Sequence, residues 1–479
     1  MTEPVSRLYA SHEALLKILA PAPDLRRGAA LDTILEILAE RRGMALTDLS
    51  PSTQAELIAG RSAQVLPGVE QLTALLAGAR AEGRKLTVKF GIDPTAADVH
   101  VGHTVPMRLA SRFQRMGHRV VFIVGDITAK IGDPTGRSVD RPQLTDEDIQ
   151  RNLATYRRQV SPFFDFERAE FRFNSEWLAP ITLPRFLGVL EKLPASAALQ
   201  REDFRARLSA GSGLSMAELV YSVVMALDSV ELEADIELGG LDQLLNMQMC
   251  RRVMETSGQR PEVIIATGLI EGTDGTGTKM SKSKGNYVGL AFDPKDVFGK
   301  LMSAADRLLP DYLRTLTELL EPEVELLLAL AAERRIHPMG LKTLLAADVT
   351  ATIHGFEAAT EARTAFHTQF SARRYSQTPG IPTADARQTR DTSVAALFVQ
   401  LTDAVPSLNH VRRVAAGGGL RLIIETGDSA QETITLAAAD ADRTPAELLA
   451  EHCEKTASET ASSIFLRCGR HLLAITRAG

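Results

Sequence analysis

Apolar and polar positions along the chain come in blocks that switch between strand and helix rhythm. Lys85 to Asp93 (KLTVKFGID) is a short, mostly apolar run and predicts a buried strand. Asp93-Pro94-Thr95 and the polar residues after it break the chain before His100. From there Met107, Leu109, Ala110, Phe113 and Met116 form a broad helical face, with Pro106 suited to the first turn and Gly117 to the C-cap. Arg119 to Gly125 (RVVFIVG) predicts a second strand. Strand, helix and strand in that order imply a right-handed parallel crossover whose helix opens at the carboxyl edge of the sheet, where nucleotides bind.

Helical spacing recurs elsewhere. Leu15, Leu16, Ile18 and Leu19, then Leu31, Ile34, Leu35 and Leu38, predict short helices separated by Pro21 and Pro23. From about Pro294 to Ser376 the pattern is helical again, with Leu316, Leu319 and Leu320 before Pro322 and Leu326, Leu327 and Leu330 after it. A stretch rich in Pro, Thr and Gln (Gln377 to Thr383) predicts a linker to a final module, in which Ile464 to Ile475 would supply a closing strand. We find no internal repeat.

Composition narrows the setting. A length of 479 residues leads us to expect about two to four domains. Hydrophobic residues make up 44% of the chain, yet no apolar run could span a bilayer and no basic-then-apolar signal pattern opens it, so a cytoplasmic protein is expected. Cys250, Cys453 and Cys468 are scattered and suit reduced thiols better than a disulfide or zinc framework. A formal net charge of -6 argues against indiscriminate nucleic-acid binding and confines any RNA contact to a local surface.

Two signatures carry chemistry. His100-Val101-Gly102-His103 falls at the opening of the predicted helix, where unpaired backbone donors and a partial positive charge favour a phosphate. Lys279-Met280-Ser281-Lys282-Ser283 lies far downstream among Gly272, Gly275, Gly277 and Gly285, so its lysines could swing in to neutralise a polyphosphate leaving group. Taken singly, each has a plainer reading: two surface histidines or half of a metal site, and a solvated glycine-rich loop.

Between and around the signatures stand further landmarks: Phe90-Gly91-Ile92-Asp93-Pro94-Thr95, Gly125-Asp126, Ile131 to Ser138 (IGDPTGRS), Asn174-Ser175-Glu176-Trp177, Arg201-Glu202-Asp203-Phe204, Tyr221 with Asp228, Ala234 to Gly240 (ADIELGG), Asp242-Gln243 and His337-Pro338-Met339. With these in order from about Val65 to Phe370, the chain resembles the class I aminoacyl-tRNA synthetases, in particular the bacterial tyrosyl-tRNA synthetases or a close paralogue of them.

The resemblance implies an α/β fold: a Rossmann-like parallel-sheet catalytic domain over residues 62–290, preceded by a helical extension over 1–61 and interrupted at about 145–214 by the dimer-contact segment. A helical domain over 291–376, a linker over 377–390 and a small α+β domain over 391–479 would follow. This last resembles a ribosomal-protein-type RNA-binding fold through Val411 to Val414 and Gly417 to Arg421, although its many acidic residues suggest a weakened grip. ATP with Mg²⁺, an amino acid (tyrosine or an analogue), tRNA and a second copy of the chain are the implied partners, with no membrane and no dedicated protein metal site.

By the same resemblance Thr95, His100, Gly102 and His103 belong around the ATP phosphates, and Lys279, Met280, Ser281 and Lys282 form a mobile clamp on pyrophosphate. Gly91, Asp93, Gly239, Gly240, Asp242 and Gln243 frame the adenylate, with Asp242 accepting from ribose and Gln243 donating to the acyl group. Asp133 and Tyr221 hold the substrate ammonium and Asp228 accepts from the tyrosine hydroxyl. The chain also departs from its relatives. Met225 stands where a glutamine is usual and Leu227 where an aromatic residue precedes the aspartate; Leu241, Ala217 and Lys89 also differ, Lys89 in a way usual for one bacterial branch. A remodelled substrate pocket is therefore expected, since a thioether cannot replace an amide's hydrogen bonds. Three functions follow: tyrosine activation and tRNA charging, activation of another amino acid for a non-tRNA acceptor such as a small amine, or a non-catalytic regulatory relative.

Overall fold

A computed structural model describes residues 6–26, 28–93, 99–134, 145–199, 202–211, 214–282, 284–368, 375, 380–386, 389–402, 405–426, 431–453, 461–469 and 471–476. Thr95, Arg201, Ser283 and residues 135–138 and 377–379 lie outside the described residues. The chain forms two compact units, Met1–Thr360 and Glu361–Gly479.

The first unit is built on a six-stranded sheet: β1 (Gln64–Leu66), β2 (Thr87–Ile92), β3 (Arg119–Val124), β4 (Glu170–Phe173), β5 (Ile236–Gly240) and β6 (Val263–Thr267), in the order β1-β6-β5-β2-β3-β4. Every pair is parallel except β1 with β6, which is antiparallel. Val120 to Val124 and Val263 to Ala266 are buried throughout, the continuous apolar pattern of strands covered on both faces. Chain order runs from β2 outward through β3 to β4 and then returns to β5 on the other side of β2. That reversal opens a crevice at the carboxyl ends of β2 and β5.

The predicted crossover helix spans Thr104–Arg115 and buries Met107, Leu109, Ala110 and Phe113, with Pro106 in its first turn and Gly117 just beyond it at φ +89°. A second helix, Met216–Leu232, starts at a capping box formed by Ser215 and Glu218 and stops where Glu233 turns left-handed. Among the described residues no helix is long and apolar enough to cross a membrane.

The N-terminal residues form the expected helices, Arg7–Leu19, Ala29–Gly43 and Pro51–Ala59, burying Leu15, Leu19, Leu31, Ile34 and Leu38. Ion pairs fasten them to helices Glu321–Ala332 and Pro338–His354. The buried Arg41 guanidinium donates to both Glu323 oxygens at 2.7 and 2.8 Å, His12 Nδ1 lies 2.8 Å from Glu323, and Arg42 donates to Asp348 at 2.7 Å. Removing one partner of such a pair strands a buried charge. Glu323→Ala is expected to lower unfolding stability in urea by about 3–5 kcal/mol, whereas an Arg41→Met, Glu323→Met double variant recovers most of it. A double-variant loss equal to the sum of the two single-variant losses would show that the charges are not coupled.

The second unit holds a five-stranded sheet in the order β7-β11-β10-β8-β9, from β7 (Thr383–Asp385), β8 (Leu420–Thr426), β9 (Gln431–Thr435), β10 (Ala461–Cys468) and β11 (His471–Thr476). Two expectations change here. Ile464 to Ile475 is not one closing strand but most of an antiparallel pair that turns at Gly469, whose φ of +59° suits glycine. Thr383–Asp385, inside the expected linker, pairs parallel with β11 because its main chain runs beside that otherwise open edge.

Candidate active site

A cavity of about 610 Å³ occupies the crevice at β2 and β5. Every expected site residue except Thr95 lines it: Lys89, Gly91, Asp93, His100, Gly102, His103, Asp133, Tyr221, Met225, Asp228, Gly240, Asp242, Gln243 and the run Lys279 to Lys282. Thus the two signatures, far apart in sequence, share one wall.

At the helix opening the histidines cap their own turn. His100 Nδ1 accepts from the Gly102 amide at 3.2 Å, and His103 Nδ1 accepts from the His100 amide at 3.2 Å. An imidazole whose Nδ1 accepts must carry its proton on Nε2, so each ring keeps one donor for a ligand. Burial first, then His103, Lys279 and Lys282, pushes His100 down to about 3; burial and the same lysines push His103 down to about 4. Both rings are neutral donors at physiological pH.

Positive charge comes from the lysine loop. Met280 is buried and its amide bonds the Ile270 carbonyl at 2.8 Å, while the Ser281 amide donates to Asn286 Oδ1 at 2.9 Å. At Gly272 a Cβ would overlap the Asn286 amide, so only glycine lets this clasp form. Lys279 Nζ lies 2.6 Å from Asp242, the carboxylate expected to meet ribose.

The far end is a buried polar network. Asp228 is 4% exposed and accepts from Trp177 Nε1 at 2.8 Å; burial pushes its carboxyl up to about 7, against the opposing pull of Lys89. Tyr221, held well above its ordinary value by burial and then Asp93, donates to Asp93 Oδ2 at 2.8 Å. Thr128 donates to Asp93 at 2.6 Å and Asn174 to Thr128 at 3.1 Å, and a Cβ on Gly125 would overlap this cluster. Asp133 accepts from Gln243 at 2.6 Å, whose own oxygen accepts from Asn246 at 2.7 Å. Each of these carboxylates is therefore held by neutral donors: an indole on Asp228, hydroxyls on Asp93 and an amide on Asp133.

Below these, Lys89 Nζ lies 2.6 Å from both Glu237 and Ser229. Burial opposes its charge, but Cys250, Glu237, Glu262 and Asp228 outweigh it and raise the ammonium well above its ordinary value. Glu237, Cys250 and Glu262 bring three potential metal-ligand atoms together, and the cation among them is Lys89.

The pocket is remodelled less than its sequence suggests. Of the departures, only Lys89 and Met225 line the cavity. Leu227 packs into the core with Val121, Ile123 and Trp177, Leu241 is 39% exposed, and Ala217 is exposed. Helical geometry explains this: Tyr221, Met225 and Asp228 are spaced i, i+4 and i+7 along one face, and Leu227 lies off it. Trp177, Thr128, Asn174, Asn246 and Glu237 also belong to the site, with no role expected of them from the sequence. The signal available for Trp177 is its place in the Asn174 to Trp177 landmark, as the sole tryptophan.

The fold and the cavity are those of an adenylate-forming class I synthetase. The family model described as tRNA synthetases class I (W and Y) matches residues 81–371, and the chain belongs to that family, whose members use ATP. It is 38% identical over 374 residues to the tyrosine–tRNA ligase of Aquifex aeolicus, covering 78% of this chain and 92% of that protein. It is 43% identical over 291 residues to the tyrosine–tRNA ligase of Oleidesulfovibrio alaskensis, covering 61% of this chain and 73% of that one. A truncated mitochondrial tyrosyl-tRNA synthetase of Coccidioides posadasii shares the fold at TM-score 0.53 and 23% identity, over 74% of this chain and 98% of that structure.

Proposed function

We propose that this chain activates tyrosine with ATP as tyrosyl-adenylate and transfers the tyrosyl group to tRNA. The observation that carries the reading is Asp228, buried in the cavity wall and held by Trp177, where it can accept from a phenolic hydroxyl. Leaving such an acceptor unpaired is costly, so amino acids lacking the hydroxyl are rejected. Tyrosyl-tRNA synthetases are themselves the usual illustration of that effect.

In the reaction the substrate carboxylate attacks the α-phosphorus of ATP and pyrophosphate leaves. His100 and His103 donate through Nε2 to the phosphates, and Lys279 and Lys282 neutralise the departing charge. Asp133 and Tyr221 face the ammonium; Asp242 exchanges Lys279 for ribose. The wall around the phosphates offers imidazole and ammonium groups rather than an oxygen cage, so Mg²⁺ would arrive on ATP, held by phosphate oxygens and water. Leu183, Leu187, Leu208 and Met216 are 67%, 52%, 51% and 73% exposed, an apolar surface in and beside the expected dimer segment, and we assign it to a two-fold homodimer.

Pyrophosphate exchange into ATP, run across tyrosine, its analogues and the other common amino acids, tests the reading. Tyrosine is expected to drive exchange and then appear on acid-precipitable tRNA; exchange with some other amino acid alone would remove it. Met225 favours a second reading, a substrate altered near its ammonium group, because this residue supplies a thioether where an amide would serve. If tyrosine is the substrate of a drifted site, Met225→Gln is expected to raise its kcat/KM by about three- to tenfold, one neutral hydrogen bond's worth. No gain, with robust exchange by an analogue, supports the second reading.

A further inference from the structure

A larger cavity, about 1130 Å³, is walled by helix Thr104–Arg115, helix Asp146–Val160 and the segment from Ser161 to Phe173, and shares no residue with the catalytic cavity. Its wall carries six arginines, Arg42, Arg108, Arg115, Arg157, Arg158 and Arg168, against three acidic residues, Asp165, Glu167 and Glu318.

Two of these arginines are deep. Arg108 and Arg115 are 6% and 7% exposed. They share the single carboxylate of Glu318, at 3.6 and 3.3 Å, with Arg112 at 3.2 Å. Glu318 therefore serves three buried cations, and Asp348, itself paired with Arg42, adds a pull on Arg108. Arg108 Nε and Nη2 and Arg115 Nε are buried with no hydrogen-bond partner among the described residues. Burial lowers Arg108 to about 10, which leaves it charged at neutral pH. A buried cationic excess with unsatisfied donors is costly unless an anion enters from outside. Three aromatic rings stand beside these groups: the Arg108 guanidinium lies 4.9 Å from the Phe163 ring, and that of Arg157 lies 5.4 and 5.5 Å from Phe166 and Phe171.

The geometry points to a binding site, separate from the catalytic cavity, for a small phosphorylated molecule of about mononucleotide size, its phosphate on Arg108 and Arg115 and its organic part against Phe166 and Phe171. Guanidinium forks match phosphate oxygens in pairs; Arg108 leaves such a pair, Nε and Nη2, without a partner among the described residues, and Arg115 adds its Nε. The volume suits a ligand of this size. A nucleic-acid duplex cannot carry its backbone to donors this deep, which favours a free small molecule over RNA.

Calorimetric titration of the full chain with guanosine monophosphate, and separately with orthophosphate, tests the site. Saturable binding of the nucleotide is expected, or of both probes if phosphate alone suffices. Arg158→Ala, an exposed rim change, is expected to weaken binding at least about threefold and Arg108→Met at least about tenfold. Pyrophosphate exchange should be unchanged in Arg158→Ala. Asp242→Ala, in the catalytic cavity, should leave nucleotide binding intact. If Arg108→Met fails to fold, Arg157→Ala with Arg158→Ala at the mouth replaces it. The proposal is overturned by no saturable binding of either probe, by binding lost in Asp242→Ala but kept in the rim variants, or by single-stranded RNA that binds at these arginines and is not displaced by the nucleotide. These outcomes are independent of which amino acid the catalytic cavity activates.

Discussion

Asp228→Asn is expected to lower kcat/KM for tyrosine in pyrophosphate exchange by about a hundredfold, because a charge-assisted hydrogen bond to a buried group is replaced by a weaker neutral one. Discrimination against phenylalanine should shrink with it. The same residue sets a pH dependence. Burial raises its carboxyl to about 7, so acidification below neutrality protonates the acceptor and weakens its hold on the phenol. kcat/KM for tyrosine should therefore fall from pH 8 to pH 6 with an apparent pKa near 7, and Asp228→Asn should flatten the profile. His100 and His103, pushed down to about 3 and 4, stay neutral over this range and cannot mimic the effect. The stability contribution has a defined sign. A carboxyl raised from its ordinary 3.8 to about 7 leaves the folded state holding a proton that the unfolded chain has lost. That contribution is complete below the ordinary value and is lost as pH rises through 7. A profile in the variant identical to that of the parent chain would remove Asp228 from substrate recognition.

Lys282→Ala is expected to lower the rate of adenylate formation by about 10²- to 10³-fold while leaving the melting temperature within a degree or two. Lys282 lines the cavity beside Met280, which anchors the loop by burial, so the charge can be removed without the anchor. The effect should fall on kcat more than on the KM for tyrosine, since the ammonium meets charge that grows at the leaving pyrophosphate. Stopped-flow measurement of adenylate formation separates the two. An unchanged rate would refute the clamp, and a loss confined to KM for ATP would reduce it to a binding contact.

Much of this was legible because local pattern and tertiary position agree. The strand at Lys85 to Asp93 and the helix behind Pro106 follow from periodicity, and the parallel crossover dictates that His100 opens on the crevice. The face shared by Tyr221, Met225 and Asp228 could have been read from their spacing, and the same arithmetic would have excluded Leu227. Other features lay beyond local pattern. Trp177 reaches Asp228 across 51 positions, and Arg41 reaches Glu323 across 282; nothing near either residue announces its partner. The Lys89–Glu237 pair joins neighbouring parallel strands, where sequence reading expects apolar side chains alone. The edge strand at Thr383 was hidden by proline-rich composition, which marks a linker as readily as an edge.

The ion pairs of the N-terminal helices bear on where the protein can be cut. Homology to the synthetase family starts at residue 81, and a fragment begun there would keep every residue of the catalytic cavity. It would also lack Arg41 and Arg42, baring two carboxylates that are fully enclosed in the intact chain, Glu323 and Asp348. Kinship and foldability thus draw different boundaries: the shortest recognisable synthetase in this sequence is not the shortest piece with its charges matched.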